Sequence, residues 1–239
     1  MAEHRLIELD KKKLLFVGGY GSGKTEVAVN FASYLAKYGY LPLSIVDLDI
    51  VNPYFRSREA VMPLTVLGVK VISPAGEQGT ADLPIIVPQV KGAVESDEQR
   101  VVLDVGGDDV GARVVSSLAG SFPADDYEML MVLNKNRPFT SDLQSSVRML
   151  KQIEAASRLR FTGLVSNTHL IDETTPETVL DGLKLAREVG RETGLEVRFV
   201  SAKEDVLKQI DPEDLDCPVL PLERFMLKPW EVNKKAEQK

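Results

Sequence analysis

The sequence has few of the residues that build disulfides and metal clusters. Its 239 residues include one cysteine, Cys217, so the chain can form neither an internal disulfide nor a cysteine-rich metal site. The only histidines are His4 and His169, which leaves a zinc site with too few ligands. The expected role of Cys217 is that of a small apolar residue near a strand.

Long hydrophobic runs are also missing. The first residues carry mixed charge instead of the apolar stretch of a secretion signal, and no later segment is apolar enough to cross a membrane. Basic charge is not in excess either, because 29 lysines and arginines face 36 aspartates and glutamates, giving a net charge of −7. We therefore expect a cytoplasmic protein that binds no membrane and holds no nucleic acid by bulk charge.

The composition is that of an ordinary globular protein. Hydrophobic residues make up 44% and charged residues 27% of a chain long enough for one large α/β domain with a real core. No repeat and no linker rich in Gly, Ser or Pro divides the sequence. We predict a single domain over residues 1–230, followed by a frayed tail at residues 231–239.

Strand-like and helix-like segments alternate along the chain. This order predicts an α/β fold with a doubly wound, mostly parallel sheet and helices on both of its faces. The predicted strands are residues 13–17, 41–47, 69–72, 100–104, 127–133, 161–167 and 196–200, with an edge strand at 218–222. The predicted helices are residues 26–35, 84–94, 109–118, 141–157 and 176–193, and residues 52–65 are expected to be loop with room for one short helix.

A glycine-rich segment joins the first predicted strand to the first predicted helix. Residues Gly18 to Thr25 spell G-G-Y-G-S-G-K-T, which satisfies the phosphate-binding pattern G-x-x-x-x-G-K-[ST]. Glycines in this setting turn backbone N–H groups towards phosphate oxygens, and the helix N-terminus adds partial positive charge. Lys24 is expected to reach the β- and γ-phosphates, and the Thr25 hydroxyl to ligate Mg²⁺. The predicted nucleotide contacts are Gly19, Tyr20, Gly21, Ser22, Gly23, Lys24, Thr25 and Glu26.

An aspartate ends the fourth predicted strand. Asp104 begins the segment D-V-G-G, a D-x-x-G pattern that ends at Gly107. Because its strand is expected beside the strand of the phosphate loop, Asp104 is predicted to bind Mg²⁺ directly or through water, and the glycine amide to sense the γ-phosphate. The alternative role of Asp104 is to cap the helix that follows.

Two carboxylates close the second predicted strand. Asp47 and Asp49 stand two residues apart, so both side chains point to one side if the strand stays extended. We expect one of them, preferably Asp49, to orient the attacking water and to join the metal ligands, and the alternative is a solvated strand end. Asp49 is preferred because it is nearer residues 50–56, a segment expected to move with the nucleotide state. Arg56 and Arg58 are candidates for phosphate contact or plain surface charge.

The identity of the nucleotide base is predicted from the absence of a guanine-binding motif. Guanine is usually held by N-K-x-D, whose aspartate accepts hydrogen bonds from the guanine ring. The segment N-K-N-R from Asn134 has arginine at the fourth place, and N-T-H-L from Asn167 lacks both the lysine and the aspartate. An amide with a donor and an acceptor suffices for adenine. Asn167 is therefore the predicted adenine contact, and ATP the predicted nucleotide.

Together these features resemble the deviant-Walker ATPases of the MinD/ParA type, part of the SIMIBI class of P-loop proteins that also includes nitrogenase iron proteins and dethiobiotin synthetase. The resemblance runs from about Lys13 to Ser201. It is carried by the loop, the two aspartates after the second strand, the D-x-x-G segment and the asparagine that ends a strand–helix–strand unit. It implies a P-loop NTPase fold in which Asp49 positions water, Asp104 is the switch aspartate near Mg²⁺ and Asn167 contacts adenine.

One position departs from that family. Members of the MinD/ParA type carry a second, signature lysine early in the loop that crosses a dimer interface, and Gly19 occupies that place here. A nucleotide-dependent homodimer is still possible, but the signature lysine could not hold it together. The membrane-targeting helix of MinD has no clear counterpart. Leu222, Phe225, Met226 and Trp230 are apolar, but Pro229 interrupts them in a short segment, and they are expected to pack on the domain.

Three functions are consistent with this pattern. The preferred one is an Mg²⁺-dependent ATPase that acts as a switch on a protein partner and hydrolyses slowly until the partner completes the site. A metabolic enzyme on the same fold, a small-molecule kinase or an ATP-dependent synthetase, would need an acceptor pocket, for which residues 75–94 are the candidate. The third is a nucleotide-binding module without turnover, which would not need Lys24, Thr25 and Asp104 together.

Overall fold

The alternating segments form one eight-stranded sheet in which every neighbouring pair of strands is parallel. The computed structural model describes residues 7–8, 10–49, 58–72, 88–107, 109–123 and 125–225. The strands are β1 (Lys13–Gly18), β2 (Leu43–Leu48), β3 (Val69–Ile72), β4 (Arg100–Gly106), β5 (Tyr127–Leu133), β6 (Gly163–Ser166), β7 (Val197–Lys203) and β8 (Val219–Leu222). The helices are α1 (Lys24–Lys37), α2 (Arg58–Val66), α3 (Pro88–Glu95), α4 (Asp109–Ser117), α5 (Leu143–Ser157), α6 (Pro176–Thr193) and α7 (Glu204–Leu207).

The order of the strands places the phosphate-loop strand in the middle of the sheet. The order is β3-β2-β4-β1-β5-β6-β7-β8, so β1 pairs with β4 on one side and β5 on the other. After β1 the chain moves outwards to β2 and β3, returns with β4, and crosses to β5. Such a reversal opens a crevice at the carboxyl ends of the central strands, which is where open α/β sheets bind ligands.

Both faces of the sheet are covered by helices, which is why the central strands are continuous apolar runs. One face packs against α1 and α2. There the Phe31 ring of α1 lies 5.3 Å from that of Phe16 on β1 and 5.6 Å from that of Phe199 on β7. The other face packs against α3 to α6, through buried residues such as Met149 and Ile153 of α5.

Helix ends follow the local capping chemistry. The predicted start of α5 at residue 141 is two residues too early, because the Asp142 carboxylate accepts a hydrogen bond from the Ser145 amide at 2.9 Å and makes Asp142 the N-cap. Helix α6 has the predicted bounds. It ends at Gly194, which adopts the left-handed conformation expected of a glycine C-cap, with φ of 76°.

The predicted fold class is confirmed, and the ends of several strands differ from the predicted ones. The edge strand β8 is present, and it pairs with β7. Strand β7 runs three residues further than predicted, since its last residues pair in register with β8. The division into a domain at residues 1–230 and a tail stays a prediction, because residues 226–239 lie outside the described part. Within the described residues, every helix is too short or too polar to be a membrane span.

Candidate functional site

The loop between β1 and α1 lies at the carboxyl edge of the sheet, beside the crevice. Gly21 and Gly23 have φ of 75° and 81°, a conformation that residues with a Cβ rarely adopt. Gly23 is the N-cap of α1 and no side chain caps the helix there, so the helix N-terminus is available to an anion. The Ser22 hydroxyl is buried and has no hydrogen-bond partner among the described residues.

Lys24, the first residue of α1, forms a buried ion pair with Asp49. Its Nζ lies 2.5 Å from the Asp49 Oδ2, and the two residues are only 8% and 5% exposed. Burial lowers the pKa of Lys24, but the carboxylates of Asp104, Asp49 and Asp47 outweigh burial and hold that pKa above its ordinary value. The ammonium group therefore stays charged, and its position is set by an acid that follows β2.

Asp104 sits in β4 and meets the loop through Thr25. The Thr25 hydroxyl donates to the Asp104 Oδ2 at 2.6 Å, and the carboxylate is fully buried. Burial raises the pKa of Asp104 to about 6, although the charge of Lys24 and the hydrogen bond from Thr25 act in the opposite direction. The other carboxylate oxygen, Oδ1, has no hydrogen-bond partner among the described residues. One acid oxygen next to the Thr25 hydroxyl is thus unused.

These groups fit an Mg²⁺ ion bound together with a nucleotide. A hydroxyl and a carboxylate with a spare oxygen are hard ligands, and Mg²⁺ in phosphate sites takes only one or two carboxylates and completes its shell with water and phosphate oxygens. No group of three or more His, Cys, Asp or Glu side chains in the described part of the chain is placed to hold a metal by itself. Thr25 and Asp104 are therefore the residues that would hold the ion.

Asp47 and Asp49 have different environments. The Asp47 Oδ1 accepts a hydrogen bond from the Asp49 backbone N–H at 3.0 Å, and Asp47 stands opposite Asp104 in the register of β2 and β4. This bond holds the backbone just after β2 ends at Leu48. Both acids act on Lys24: Asp49 pairs with its ammonium group, and the charge of Asp47 also raises the pKa of Lys24.

Gly107, the last glycine of the D-x-x-G segment, lies against the backbone of the loop. A Cβ built on Gly107 would lie 2.3 Å from the Gly18 carbonyl oxygen and 2.7 Å from the Gly19 nitrogen, which is far inside contact distance. Only glycine fits between two main chains this close. The segment after β4 and the phosphate loop are therefore in direct backbone contact.

Asn167 lies behind the loop, at the end of β6. Its Nδ2 donates to the Ser22 carbonyl oxygen at 2.8 Å, and its Oδ1 accepts from the Ser201 hydroxyl at 3.0 Å. An asparagine amide has two N–H groups and two acceptor lone pairs, so these two bonds use one of each. The role of Asn167 as an adenine contact stays a prediction. The structure adds a second role, which is to tie the loop to β6 and β7.

Three residues support the loop although the sequence did not single them out for this role. The Asn134 Nδ2 and the Arg137 Nε both donate to the Gly21 carbonyl oxygen, at 3.2 Å and 2.9 Å. Both residues follow β5, so position after a strand beside β1 was the signal that could have identified them. Ser201 was missed because β7 was predicted to end at Val200.

Met149 of α5 covers the place where the family carries its signature lysine. A Cβ built on Gly19 would lie 2.8 Å from the Met149 Cε, so a side chain at position 19 would have to displace Met149. Beside this contact a cavity of about 570 Å³ lies between the loop, α4 and α5. It is bordered by Gly19, Tyr20, Gly107, Phe139, Arg148 and Met149, with further residues of α5.

Several predicted features lie outside the described residues. These are Arg56, the mobile segment expected at residues 50–56, the side chain of Arg58, and residues 75–87 of the suggested acceptor region. Of the apolar residues near the end of the chain, Phe225 is described and is partly buried against the α1 face of the core.

The fold and the loop define a class of protein: the chain has the α/β P-loop NTPase fold. No protein-family model matches the chain, and no curated protein matches its sequence. Solved structures do match it. The signal recognition particle receptor FtsY from Elizabethkingia anophelis is 19% identical, with a TM-score of 0.52, and the match covers 91% of this chain and 64% of that one.

Two further structures support the same fold. FlhF complexed with GTP and Mg²⁺ is 16% identical over 83% of this chain and 68% of that one, with a TM-score of 0.54. FtsY from Thermotoga maritima is 18% identical over 89% of this chain and 70% of that one, with a TM-score of 0.50. The chain spans less than two thirds of the length of the Elizabethkingia receptor. At these identities the likeness shows the fold alone.

These matches bear on the fold and not on the predicted family. They confirm the P-loop NTPase fold, and the resemblance to the SIMIBI class stays a prediction. The narrower resemblance to MinD/ParA-type ATPases is not confirmed. FlhF was solved with GTP, so ATP is also not confirmed as the nucleotide of this chain.

His169 lies at the outer side of the loop and supplies a test of the electrostatics there. Its Nε2 is 3.1 Å from the place that a Cβ on Gly23 would occupy. Burial, together with the positive charges of Arg137 and Lys203, lowers the pKa of His169 to about 4. The imidazole is therefore neutral at physiological pH.

The low pKa of His169 predicts a pH dependence of stability. In the unfolded chain the pKa of a histidine is about 6.5, so between pH 6.5 and 4 the unfolded state binds more protons than the folded state. The free energy of unfolding is then expected to fall as the pH drops through this window. We expect the Tm of the wild type to fall more between pH 7 and 4.5 than the Tm of His169→Gln. Parallel curves for the two proteins would contradict the assignment.

Proposed function

We propose that the protein binds and hydrolyses a nucleoside triphosphate with Mg²⁺ and acts as a nucleotide-dependent switch on a protein partner. The observation that carries the proposal is the contact between Thr25 and Asp104, 2.6 Å, beside the 2.5 Å pair of Lys24 and Asp49. Burying two acids is costly unless they are paired. A loop that merely connected a strand to a helix would give no reason to gather these four side chains.

The four side chains divide three tasks in this proposal. Lys24 leaves Asp49 and binds the β- and γ-phosphates when the nucleotide arrives. Thr25 and Asp104 hold Mg²⁺, which when bound neutralises charge that develops on the phosphates. Asp49, once released from Lys24, accepts a hydrogen bond from the attacking water and orients it.

The switch is assigned to the contact between Gly107 and the loop. A terminal phosphate bound at the loop has to be accommodated next to Gly107, whose backbone already touches Gly18 and Gly19. Helix α4 begins at Asp109, two residues after Gly107. Binding or loss of the phosphate therefore shifts the start of α4 and changes the surface that a partner meets.

ATP is the proposed nucleotide. The fourth place counted from Asn167 is Leu170, which offers no carboxylate to the N–H groups of guanine, and the donor and acceptor groups of the Asn167 amide suit adenine. The competing choice is GTP, the nucleotide of the FlhF structure. Competition of unlabelled ATP and GTP against a fluorescent ADP analogue decides between them, and tighter binding of GTP would reject ATP.

The proposed partner is a protein that binds near the loop. Tyr20 and Phe139 are 80% and 65% exposed and stand at the same cavity beside Gly19. Exposed aromatic side chains are favoured contacts in protein interfaces. A second copy of this chain is an alternative occupant, and sedimentation with ATP and with ADP distinguishes a nucleotide-dependent homodimer from a monomer.

The same cavity supports one second candidate function, a kinase or synthetase that acts on a small molecule. Its volume of about 570 Å³ is in the range of ligand pockets, and Gly19 and Gly107 place it next to the proposed phosphate site. An enzyme of this kind would turn over ATP only when an acceptor is added. Basal ATP hydrolysis by the purified chain would favour the switch.

Substitution of Asp47, near the end of β2, and of Asp49, just after it, tests the hydrolytic part of the proposal. Asp49→Asn is expected to lower single-turnover hydrolysis by about 10²–10⁴-fold, because a general base or water-orienting group typically contributes that much. Binding of Mg·ATP, measured by calorimetry, should change far less, since asparagine keeps the size of Asp49. Asp47→Asn is the matched control, because its amide oxygen can still accept from the Asp49 N–H. A larger loss of hydrolysis in Asp47→Asn than in Asp49→Asn would show that Asp47 orients the water. Wild-type turnover in both variants would show that neither acid takes part in hydrolysis.

A further inference from the structure

An arginine lies on the outer side of the phosphate loop and is not part of the loop's sequence pattern. The Nε of Arg137 donates to the Gly21 carbonyl oxygen at 2.9 Å. A Cβ built on Gly21 would lie 2.6 Å from that Nε and 3.0 Å from the Cζ, so the guanidinium group is in contact with the loop itself. Gly21 leaves the room that the guanidinium occupies.

The chain after β5 is built to hold Arg137 in this place. The Arg137 backbone N–H donates to the Asn134 carbonyl at 3.1 Å, and the Thr140 hydroxyl donates to the same carbonyl at 2.6 Å. Pro138 follows and keeps Arg137 extended, with φ of −123° and ψ of 141°. The Asn134 side chain shares the Gly21 carbonyl with Arg137. The position of the guanidinium is therefore set by the fold.

The charge of Arg137 is not balanced by an acid. In the described part of the chain no carboxylate lies within 4 Å of its guanidinium, whereas Lys24 has Asp49. The ionisable groups that sense Arg137 include His169, whose pKa is lowered to about 4 by burial and by the charges of Arg137 and Lys203. An arginine has five N–H donors, and the contact with Gly21 uses one. A cation with free donors beside an anion site is arranged to meet an anion.

We propose that Arg137 is a phosphate-binding residue of this chain, which directs its remaining guanidinium N–H groups to oxygens of the polyphosphate held by the loop. The inference rests on the proposed function, because it needs a nucleotide in the loop. It adds a cation supplied in cis to Lys24 and to the helix N-terminus. Planar guanidinium groups suit phosphate oxygens because they donate several parallel hydrogen bonds.

The test compares the phosphate dependence of binding in four proteins. Wild type, Arg137→Lys, Arg137→Gln and the control Arg191→Ala are titrated with ATP, ADP and AMP in Mg²⁺ by calorimetry. Arg191 is an exposed arginine in the last turn of α6. We expect Arg137→Gln to bind ATP about 10- to 100-fold more weakly than the wild type, since one charge-assisted hydrogen bond is worth that factor. AMP affinity should change less than about threefold, Arg137→Lys should recover part of the loss, and the control should match the wild type.

Other outcomes overturn the inference. Equal ATP affinity in wild type and Arg137→Gln means that Arg137 meets no phosphate. Equal losses for ATP, ADP and AMP, with lysine no better than glutamine, mean that Arg137 only braces Gly21. Melting curves without nucleotide show whether each variant is folded. If Arg137→Gln is unfolded, the test compares Arg137→Lys with the wild type instead. If the wild type itself binds no triphosphate, the proposed function fails. If the wild type binds triphosphate and Arg137→Gln binds it equally well, only the inference about Arg137 fails, so the two failures are distinguishable.

Discussion

Lys24→Ala is expected to abolish measurable triphosphate hydrolysis and to weaken triphosphate binding strongly. Removing the ammonium group removes the side-chain donor nearest to the proposed phosphates, and loss of one preorganised donor to developing charge costs a factor on the order of 10²–10³ in turnover. Loss of a charge-assisted hydrogen bond costs a further factor of about 10–100 in affinity. Single-turnover hydrolysis and calorimetry measure the two effects separately. The matched control is Lys37→Ala, since Lys37 lies at the exposed end of the same helix.

The same substitution is also expected to destabilise the protein without nucleotide. Lys24→Ala removes the ammonium group from the buried Asp49 carboxylate, and breaking a buried ion pair in this way typically costs about 3–5 kcal/mol. The double variant Lys24→Ala, Asp49→Ala should regain part of that loss, because no unpaired charge remains. Urea unfolding of the two single variants and the double variant measures the coupling. A double variant that is destabilised by the sum of both single effects would show that the 2.5 Å contact has no energetic weight.

Gly107→Ala is expected to impair both stability and nucleotide binding. The added Cβ would lie 2.3 Å from the Gly18 carbonyl oxygen, and neither partner is a flexible side chain, so the two segments must separate. Overpacking of this kind costs about 1–3 kcal/mol. Because the displaced atoms belong to the phosphate loop, affinity for the triphosphate should fall together with the free energy of unfolding.

The control for Gly107→Ala is Gly92→Ala in α3. A Cβ on Gly92 meets no atom of the described residues within 4 Å, and alanine is favoured over glycine inside a helix by about 0.5–1 kcal/mol. The free energy of unfolding should therefore rise slightly for Gly92→Ala and nucleotide binding should not change. If Gly107→Ala binds the triphosphate with wild-type affinity, Gly107 does not contribute to the phosphate site. The proposed coupling between the loop and α4 would then be wrong.

Most elements of the fold could be predicted from the sequence because their signals are local. The apolar runs of β1 and β5 are long enough to indicate buried parallel strands, and α6 carries both of its end signals in the chain itself. The start of α5 was missed by two residues because its signal, the Asp142 cap, depends on a side chain folding back onto the helix. The end of β7 was missed because it is set by pairing with β8.

The part of the site that could be predicted is the part whose residues are neighbours in the sequence. The order of residues from Gly18 to Thr25 is enough to predict a phosphate site. The asparagine Asn167 was identified as a site residue, yet its bond to the Ser22 carbonyl was not foreseeable. That bond joins residues 145 positions apart, and the distance between them exists only once β1 and β6 share a sheet.

Local signals in the amino-acid sequence are enough to predict an α/β protein with a phosphate loop between its first strand and first helix. Those features follow from hydrophobic periodicity and glycine chemistry, which act over a few neighbouring residues. Three contacts become visible only in the folded chain: Asp49 pairs with Lys24, Gly107 lies against Gly18, and Arg137 donates to the loop carbonyl of Gly21. These contacts depend on the strand order, which is set by the packing of the whole sheet.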